Sequence, residues 1–402
     1  MKGAIIMHKK CVIVVMLLLS VVLIGGCKSD VSKSADPPEH KVTTQQVEMG
    51  QNTSSEIDEV VQQDTDTSDI SDKPTDTAVK NQPFYYNYME LVDTGTKGSY
   101  LLELMDQDGN LVWKRQWDDL EYTELNLGGE PVRSDDKIFI GVYGDLYALD
   151  FMTGDVLWKA EGTGSTIKPL VVDDIVYMAG YYGPMLSAVN VQTGQVLWVK
   201  EEPENFSWPL KIVNNNNTIL VLCSEFKNDS EIEAICKYDL DGNYVGSDNY
   251  TGDLWPSQYW DTVMASSTLE PNTQKYVAEN CYDANFETAW VEGVSGYGLA
   301  EWIELSAITS QDVGYISIAN GYQKSFETYE ENGKLAKYRV DFSDGRYFIA
   351  DAKYAFEHFS QEHIQLVDPI KTNTVRITIL DILPGTKYED TCISEVRTIG
   401  VD

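Results

Sequence analysis

Residues able to make and break bonds are sparse in this 402-residue chain, and their spacing fits none of the common catalytic patterns. Its four histidines are His8, His40, His358 and His363; the last two are five apart, which puts them on neither one helix face nor one strand face. No HExxH, CxxC, GxSxG or phosphate-cradling GxxxxGK[ST] pattern occurs. Carboxylates are plentiful, 64 in all, but no local context singles out two of them as the acid and base of a glycosidase. The chain therefore reads as a binder rather than an enzyme, and no catalytic residue or cofactor is assigned.

The six cysteines carry more information. Lys2, Lys9 and Lys10 precede an apolar stretch from Cys11 to Ile24, broken only by Ser20, and the run ends Leu23-Ile24-Gly25-Gly26-Cys27. This is the order of a secretion signal, and the stretch falls short of the roughly 20 residues needed to span a bilayer. The ending resembles the lipobox of bacterial lipoproteins, which implies cleavage before Cys27 and acylation of its thiol. Met7 is an alternative start, because residues 8 to 27 already make a complete signal. Two or more acyl chains give stable anchoring, so the expected location is extracytoplasmic, lipid-anchored to the bacterial cell membrane. Loss of the three leader lysines takes the net charge from −34 to −37. Such a chain repels nucleic acid and anionic headgroups.

Four cysteines remain, an even number in an exported chain. Cys223 and Cys236 lie in two strand-like runs, and symmetric hairpin pairing would set them directly opposite each other. Cys281 and Cys392 are the second disulfide candidate pair, or equally two buried thiols.

The elements that must carry these residues fall into segments. Residues 1–26 form the leader. Residues 27–82 hold Cys27 and a tether that, after it, has no Phe, Tyr or Trp; it cannot bury enough apolar surface to order itself. From Pro83 to 262 aromatic strands and a repeat appear. Its clearest copies are KIFIGVYGDLYALDFMTGDVLW from Lys137 and IVYMAGYYGPMLSAVNVQTGQVLW from Ile175, with weaker ones ending in Trp113 and Gly246. The turn glycines Gly109, Gly154, Gly194 and Gly242 lie 45, 40 and 48 residues apart, the period of propeller blades. Tyr147, Leu149, Val156 and Trp158 alternate as half-buried strands should, and Trp158 and Trp198 are expected to wedge between neighbouring blades. The repeats resemble the PQQ-like β-propeller repeat, which also occurs in non-catalytic lipoproteins that scaffold assemblies. With room for about four blades, the chain has an architecture of that kind and too few blades for quinone chemistry.

From 263 to 402 short alternating strands continue without repeats, as in a single antiparallel sandwich. Three stretches, Asp283–Glu304, Ile318–Asn332 and Thr374–Val396, resemble the NADase-type glycan-binding domain, a discoidin-like jelly roll related to the coagulation-factor type C fold. The expected fold class is thus all-β: a small or incomplete β-propeller followed by a discoidin-like sandwich. Sugar rings offer apolar faces and hydroxyls, so loop aromatics beside amides and charges are the candidates. These are Trp290, Glu292 and Tyr297, then Asn320, Tyr322 and Lys324, then Tyr388, Glu389 and Asp390. Tyr297, Tyr322 and Tyr388 are preferred; Trp290 and Trp302 also fit a core, Trp302 through its place in the alternating EWIEL strand, and Asn320-Gly321 and Pro384-Gly385 are turn signals. The discoidin resemblance further implies a structural calcium, for which Asp283, Thr288 and Glu395 offer hard oxygens.

Three functions compete on this reading. The first is glycan recognition at the cell surface. The second is a protein-interaction scaffold through the propeller. The third is an enzyme, either a quinoprotein remnant or a cryptic glycosidase.

Overall fold

The computed structural model describes residues 83–400, apart from 94–96, 122–126, 165–166, 181–182, 228–229, 253–256, 271, 274 and 353–360. The leader, Cys27, the tether, His40 and His358 lie outside the described residues.

The chain is all-β, and every pairing between its strands is antiparallel. The repeat region opens with β1 (Tyr85–Asp93), β2 (Lys97–Met105) and β3 (Leu111–Glu121). Three four-stranded meanders follow. The first is β4 (Val132–Ser134), β5 (Lys137–Val142), β6 (Asp145–Asp150) and β7 (Val156–Ala160). The second is β8 (Leu170–Val172), β9 (Ile175–Met178), β10 (Leu186–Asn190) and β11 (Val196–Lys200). The third is β12 (Phe206–Asn215), β13 (Thr218–Lys227), β14 (Ser230–Asp239) and β15 (Tyr244–Asn249).

One device closes the outer hairpin of each repeat. Asp106, Asp150, Asn190 and Asp239 each turn a side-chain oxygen onto backbone N–H groups two to four residues on. The turn glycine that follows takes positive φ, between +70° and +79° in the four copies. Onto that glycine packs the tryptophan of the preceding repeat. A Cβ on Gly154, Gly194 or Gly242 would come within 2.6–2.7 Å of the rings of Trp113, Trp158 and Trp198 respectively. Trp113 and Trp158 then donate their indole N–H to the carbonyls of Phe151 and Val191 in the next sheet. The expected wedge is thus present, with a third member at Trp113.

Of the four residues expected to alternate inward, Leu149 is buried, Tyr147 and Trp158 are half-buried and Val156 is exposed, while the inner strands are buried beyond one face. Ile138 to Val142 of β5, and Leu146, Ala148 and Leu149 of β6, are buried on both faces, because each sheet is covered by a neighbour on either side. Only the outer strands expose apolar side chains, among them Leu157, Leu197 and Val245.

The sandwich comprises β16 (Thr262–Ala265), β17 (Trp290–Val291), β18 (Trp302–Asn320), β19 (Lys334–Phe342), β20 (Tyr347–Asp351), β21 (Glu362–Leu383) and β22 (Cys392–Gly400). A short helix α1 (Phe326–Glu331) begins with a capping box made by Ser325 and Thr328. The core gathers Trp290, Ile303, Leu305, Ile316, Tyr338, Phe348 and Ile377, all essentially inaccessible.

Repeats and sandwich meet through a hydrogen-bonded sheet. In the order β17-β22-β18-β21-β1-β2-β3, Tyr85 and Tyr86 pair with Leu366 and Gln365, so β21 stands where the innermost strand of the first blade belongs. Alternation along β1 sends Tyr85 into the sandwich core and Phe84 and Tyr86 into the first blade's cluster. At Gly109, the seat a preceding tryptophan would take is filled by the carbonyl of Ile349 in β20, 2.8 Å from a notional Cβ.

Two local expectations are corrected. Cys223 faces Ala234 and Cys236 faces Val221, so the two thiols sit diagonally, their sulfurs 3.6 Å apart, because the β13–β14 register sets Lys227 opposite Ser230, one residue off the centre that would align the cysteines. Trp302 is half-buried: in EWIEL it is Ile303 and Leu305 that point inward, while Trp302 shares the outer face with Glu304 under the Arg376 guanidinium, 4.1 Å from its ring centroid.

Candidate functional site

The ends of β18 and β21 and the start of β22 bring three loops to one end of the sandwich, and Thr391-Cys392 ties them together. The Thr391 hydroxyl donates to the Tyr297 carbonyl at 2.8 Å, and the Thr391 carbonyl accepts from the Glu292 N–H. Cys392 accepts from the Gly321 N–H and donates its own N–H to Gly333, whose N–H goes to Asp390. Gly385 has no room for a Cβ, which would lie 2.3 Å from the Glu331 carbonyl, and this close approach lets Thr386, Lys387 and Tyr388 hydrogen-bond the end of α1. Loops 292–299, 320–333 and 384–391 thus hold fixed relative positions.

Within this frame the sequence candidates separate by task. Trp290 is wholly buried and spends its indole N–H on the Ser267 carbonyl. Asn320 is 2% exposed, and both ends of its amide are taken by the Leu335 backbone. The buried Glu292 carboxylate accepts from the N–H groups of Val294 and Thr391, while burial holds its pKa above the usual range for Glu. Trp290, Asn320 and Glu292 therefore position the loops and offer no surface to a ligand. Tyr388 is 42% exposed, with the Lys387 ammonium 4.8 Å from its ring centroid and that ammonium bridged to Glu331. Tyr297 is half-buried, its ring 3.3 Å from a notional Gly333 Cβ. Asp390, next to Tyr388 and half-buried, is pushed up by burial and by Glu389. Lys324 is exposed.

Tyr322 does not join Tyr388. It packs on the cluster of Ala289, Val291 and Cys392, and its ring stands edge-on to Tyr276, with centroids 6.4 Å apart at 86°. Lys275 places its ammonium 4.5 Å from the Tyr276 centroid. Sequence reasoning missed Lys275 and Tyr276; the available signal was an adjacent cation and aromatic between turn residues. Two aromatic–cation groups therefore stand near the start of β22, Tyr388 with Lys387 and the Tyr276–Tyr322 pair with Lys275. Each offers a π-face beside a hydrogen-bond donor, which suits a ring carrying C–H faces and hydroxyls.

A second constellation lies further along β22. Asp283 ends the turn of 3-10 helix Ala278–Tyr282 and accepts from the Thr288 hydroxyl at 2.8 Å. Glu395 is buried and receives the Ala284 N–H at 3.1 and 3.3 Å on its two oxygens. Burial pushes its pKa up to about 7, opposed by Arg397 and reinforced by Asp283. Asp283, Thr288 and Glu395 thus all contact the 283–288 loop, and Arg397 stands 3.5 Å from the buried Glu395 carboxylate. These oxygens are of the hard type that calcium takes, three of the six to eight it needs. Among the described residues no three His, Cys, Asp or Glu side chains gather as a metal group. Cys223, Cys236, Cys281 and Cys392 are all free and buried.

Comparison with known proteins assigns both regions. Residues 254–398 match the family described as the NAD glycohydrolase translocation F5/8 type C domain, and residues 59–252 match that of outer membrane protein assembly factor BamB. Neither match reaches half of the chain, which is thus similar over its repeat region to BamB and over its C-terminal region to F5/8 type C domains. The outer membrane protein assembly factor BamB of Yersinia pestis is 29% identical over 150 residues, covering 32% of this chain. The chain spans only 37% of that relative's length. Among solved structures, the family 32 carbohydrate-binding module of Clostridium perfringens NanJ with galactose is 19% identical, covers 34% of this chain and 92% of its own, and has a TM-score of 0.27. BamB of Moraxella catarrhalis is 14% identical, with coverages of 39% and 59% and a TM-score of 0.26. An F5/8 type C domain of Bacteroides fragilis is 15% identical, with coverages of 36% and 96% and a TM-score of 0.29.

Proposed function

We propose that this protein is a lipid-anchored surface binder, moored through Cys27, whose F5/8 type C domain recognises glycans at the loop end of the sandwich. The observation that carries the reading is the fixed loop end itself, where exposed Tyr388 and the Tyr276–Tyr322 pair each stand beside a lysine. Rigid aromatics with adjacent donors bind sugar rings by stacking on the C–H face and hydrogen-bonding the rim. The remainder of the site is scaffold: Glu292, Asn320 and Gly385 fix the loops. Asp283, Thr288 and Glu395 would hold a structural calcium, which would neutralise the buried Glu395 charge and brace the 283–288 loop.

Glycan-array binding by the chain from Lys28 to Asp402 tests this. Retention on a defined set of glycans is expected, with Tyr388→Ala and Tyr276→Ala each weakening it at least fivefold at unchanged melting temperature. Retention on none at millimolar ligand sinks the reading. A second reading, a protein-assembly scaffold, is favoured by the apolar residues that recur on the outer strands, Leu157, Leu197 and Val245. Crosslinks to proteins that map to residues 95–250 rather than to the sandwich would support it.

A further inference from the structure

The loop end of the sandwich carries an uneven charge. Its three fixed segments, 292–299, 320–333 and 384–391, hold six carboxylates against two lysines, Lys324 and Lys387. That balance bears on the kind of sugar the end can take. Uronic and sulfated sugars carry an anion, N-acetylated and plain sugars carry no charge, and sugars with a free amine carry a cation.

The lysines leave little positive charge for a ligand beside Tyr388. The Lys387 ammonium is bridged to Glu331 at 2.9 Å and stands 4.8 Å from the Tyr388 ring centroid. Lys334, just past the second segment, is 6% exposed and turns its ammonium inward onto the carbonyls of Tyr329 and Asn332, at 2.6 and 3.2 Å. Lys324 is exposed, but it precedes α1, whereas Thr386, Lys387 and Tyr388 bond the other end of that helix. The carboxylates on Tyr388's own loop are left uncompensated. Glu389 is exposed and Asp390 half-buried, and among the described residues neither is bridged to a cation. Burial raises the Asp390 pKa and the Glu389 charge adds to it; burial also raises that of Glu292, with Asp390 adding to it. Like charges crowded in this way are relieved by a cation brought in from outside. The loop cannot swing clear to relieve them itself, since the Asp390 carbonyl accepts the Gly333 N–H at 2.8 Å.

We propose that the Tyr388 face of this end selects amino sugars with an unacetylated, protonated nitrogen, the sugar ring stacking on the exposed phenol ring and the ammonium bound by Glu389 and Asp390. The inference rests on the glycan reading above and narrows its ligand to a class. Stacking supplies affinity common to many sugars. The carboxylates supply the discrimination, through charge-assisted hydrogen bonds that an acetylated nitrogen does not make.

Isothermal titration of the chain from Lys28 to Asp402 compares a β-1,4-linked glucosamine hexamer with the N-acetylglucosamine hexamer, at physiological ionic strength and a pH that keeps the amines protonated. The glucosamine hexamer should bind at least tenfold more tightly. Any polycation gathers at a protein of net charge −34, so hexalysine, matched in charge but without rings, is the control and should bind at least tenfold more weakly than the amino sugar. Glu389→Gln with Asp390→Asn should bring the two hexamers within threefold of each other, and Glu389→Gln alone, at an exposed position, should cut the preference at least threefold if the double variant fails to fold. Asp173→Asn with Asp174→Asn, which removes two exposed charges from the repeat region, should leave the preference unchanged. Equal affinity for the two hexamers, or a preference that survives the loss of Glu389 and Asp390, overturns the proposal and leaves glycan binding standing. Hexalysine binding as tightly as the amino sugar, or an equal loss of preference in the Asp173–Asp174 variant, overturns it by reducing the effect to the general field. Binding of neither hexamer removes this ligand class, and the glycan array then decides whether the broader reading falls with it.

Discussion

One methyl group on Gly194 would stand 2.6 Å from the Trp158 ring, on a backbone held at φ +70°. Left-handed φ costs an alanine about 1–2 kcal/mol, and overpacking against an unyielding indole costs about 1–3 kcal/mol more. Gly194→Ala should therefore lose about 2–5 kcal/mol in urea unfolding. Gly144→Ala, at φ +88° with open space around it, should lose only the backbone share. Equal losses would mean that the tryptophan wedge contributes nothing. The same reasoning separates positioning from contact in the sandwich. Asn320→Ala leaves the buried Leu335 N–H and carbonyl unpaired and should cost about 1–3 kcal/mol. Tyr388→Ala, at an exposed position, should stay within about 0.5 kcal/mol. A Tyr388→Ala variant that unfolds easily would place that ring in the structural frame instead. Saturating calcium should raise the melting temperature by about 3–6 °C, and Asp283→Asn should remove the rise; an equal rise in that variant would dismiss the site.

The repeating element was legible in the sequence because one local device recurs: a turn glycine, followed four residues on by a tryptophan in three of the four copies, reports a hairpin without any knowledge of neighbours. Where burial depends on what packs from outside, the sequence was silent. Alternation in β6 suggested one buried face, yet stacked sheets bury Leu146, Ala148 and Leu149 alike. EWIEL gave the right period, but period alone does not say which phase faces inward, and Trp302 fell on the outer one. The candidate loops were found, while their division into frame and surface was not, because the burial of Glu292 and Asn320 depends on Thr391 and Leu335 far along the chain. The join between β1 and β21, separated by more than 270 residues, left no local trace. It carries a prediction nonetheless. A chain ending at residue 262 loses β21 beside β1, and Ile349 over Gly109. Amide exchange across β1 and β2 should then accelerate at least a hundredfold, with β9 and β10 less affected. Unchanged protection in β1 would show that the first blade needs no partner.

At the scale of the whole molecule, that join decides how the described part of the chain unfolds. Two modules on a flexible linker unfold separately, each with its own midpoint. Here Tyr85 is buried in the sandwich core while its neighbours Phe84 and Tyr86 are buried in the first blade, so neither cluster can open without exposing the other's side chains. The Lys168–Tyr315–Glu130 chain and the Arg133–Asp368 pair cross the same seam. Calorimetry should accordingly show one transition, with the blade tryptophans and the sandwich signals moving together. Tyr85→Ala removes the shared ring and its hydrogen bond to the Ile349 carbonyl, and a large aromatic-to-alanine change in a core costs about 3–5 kcal/mol. If the seam couples the regions, that loss should lower the single midpoint or split the transition in two. A wild-type thermogram already resolved into two independent transitions would mean that the shared strand edge holds the regions in register without joining their stability.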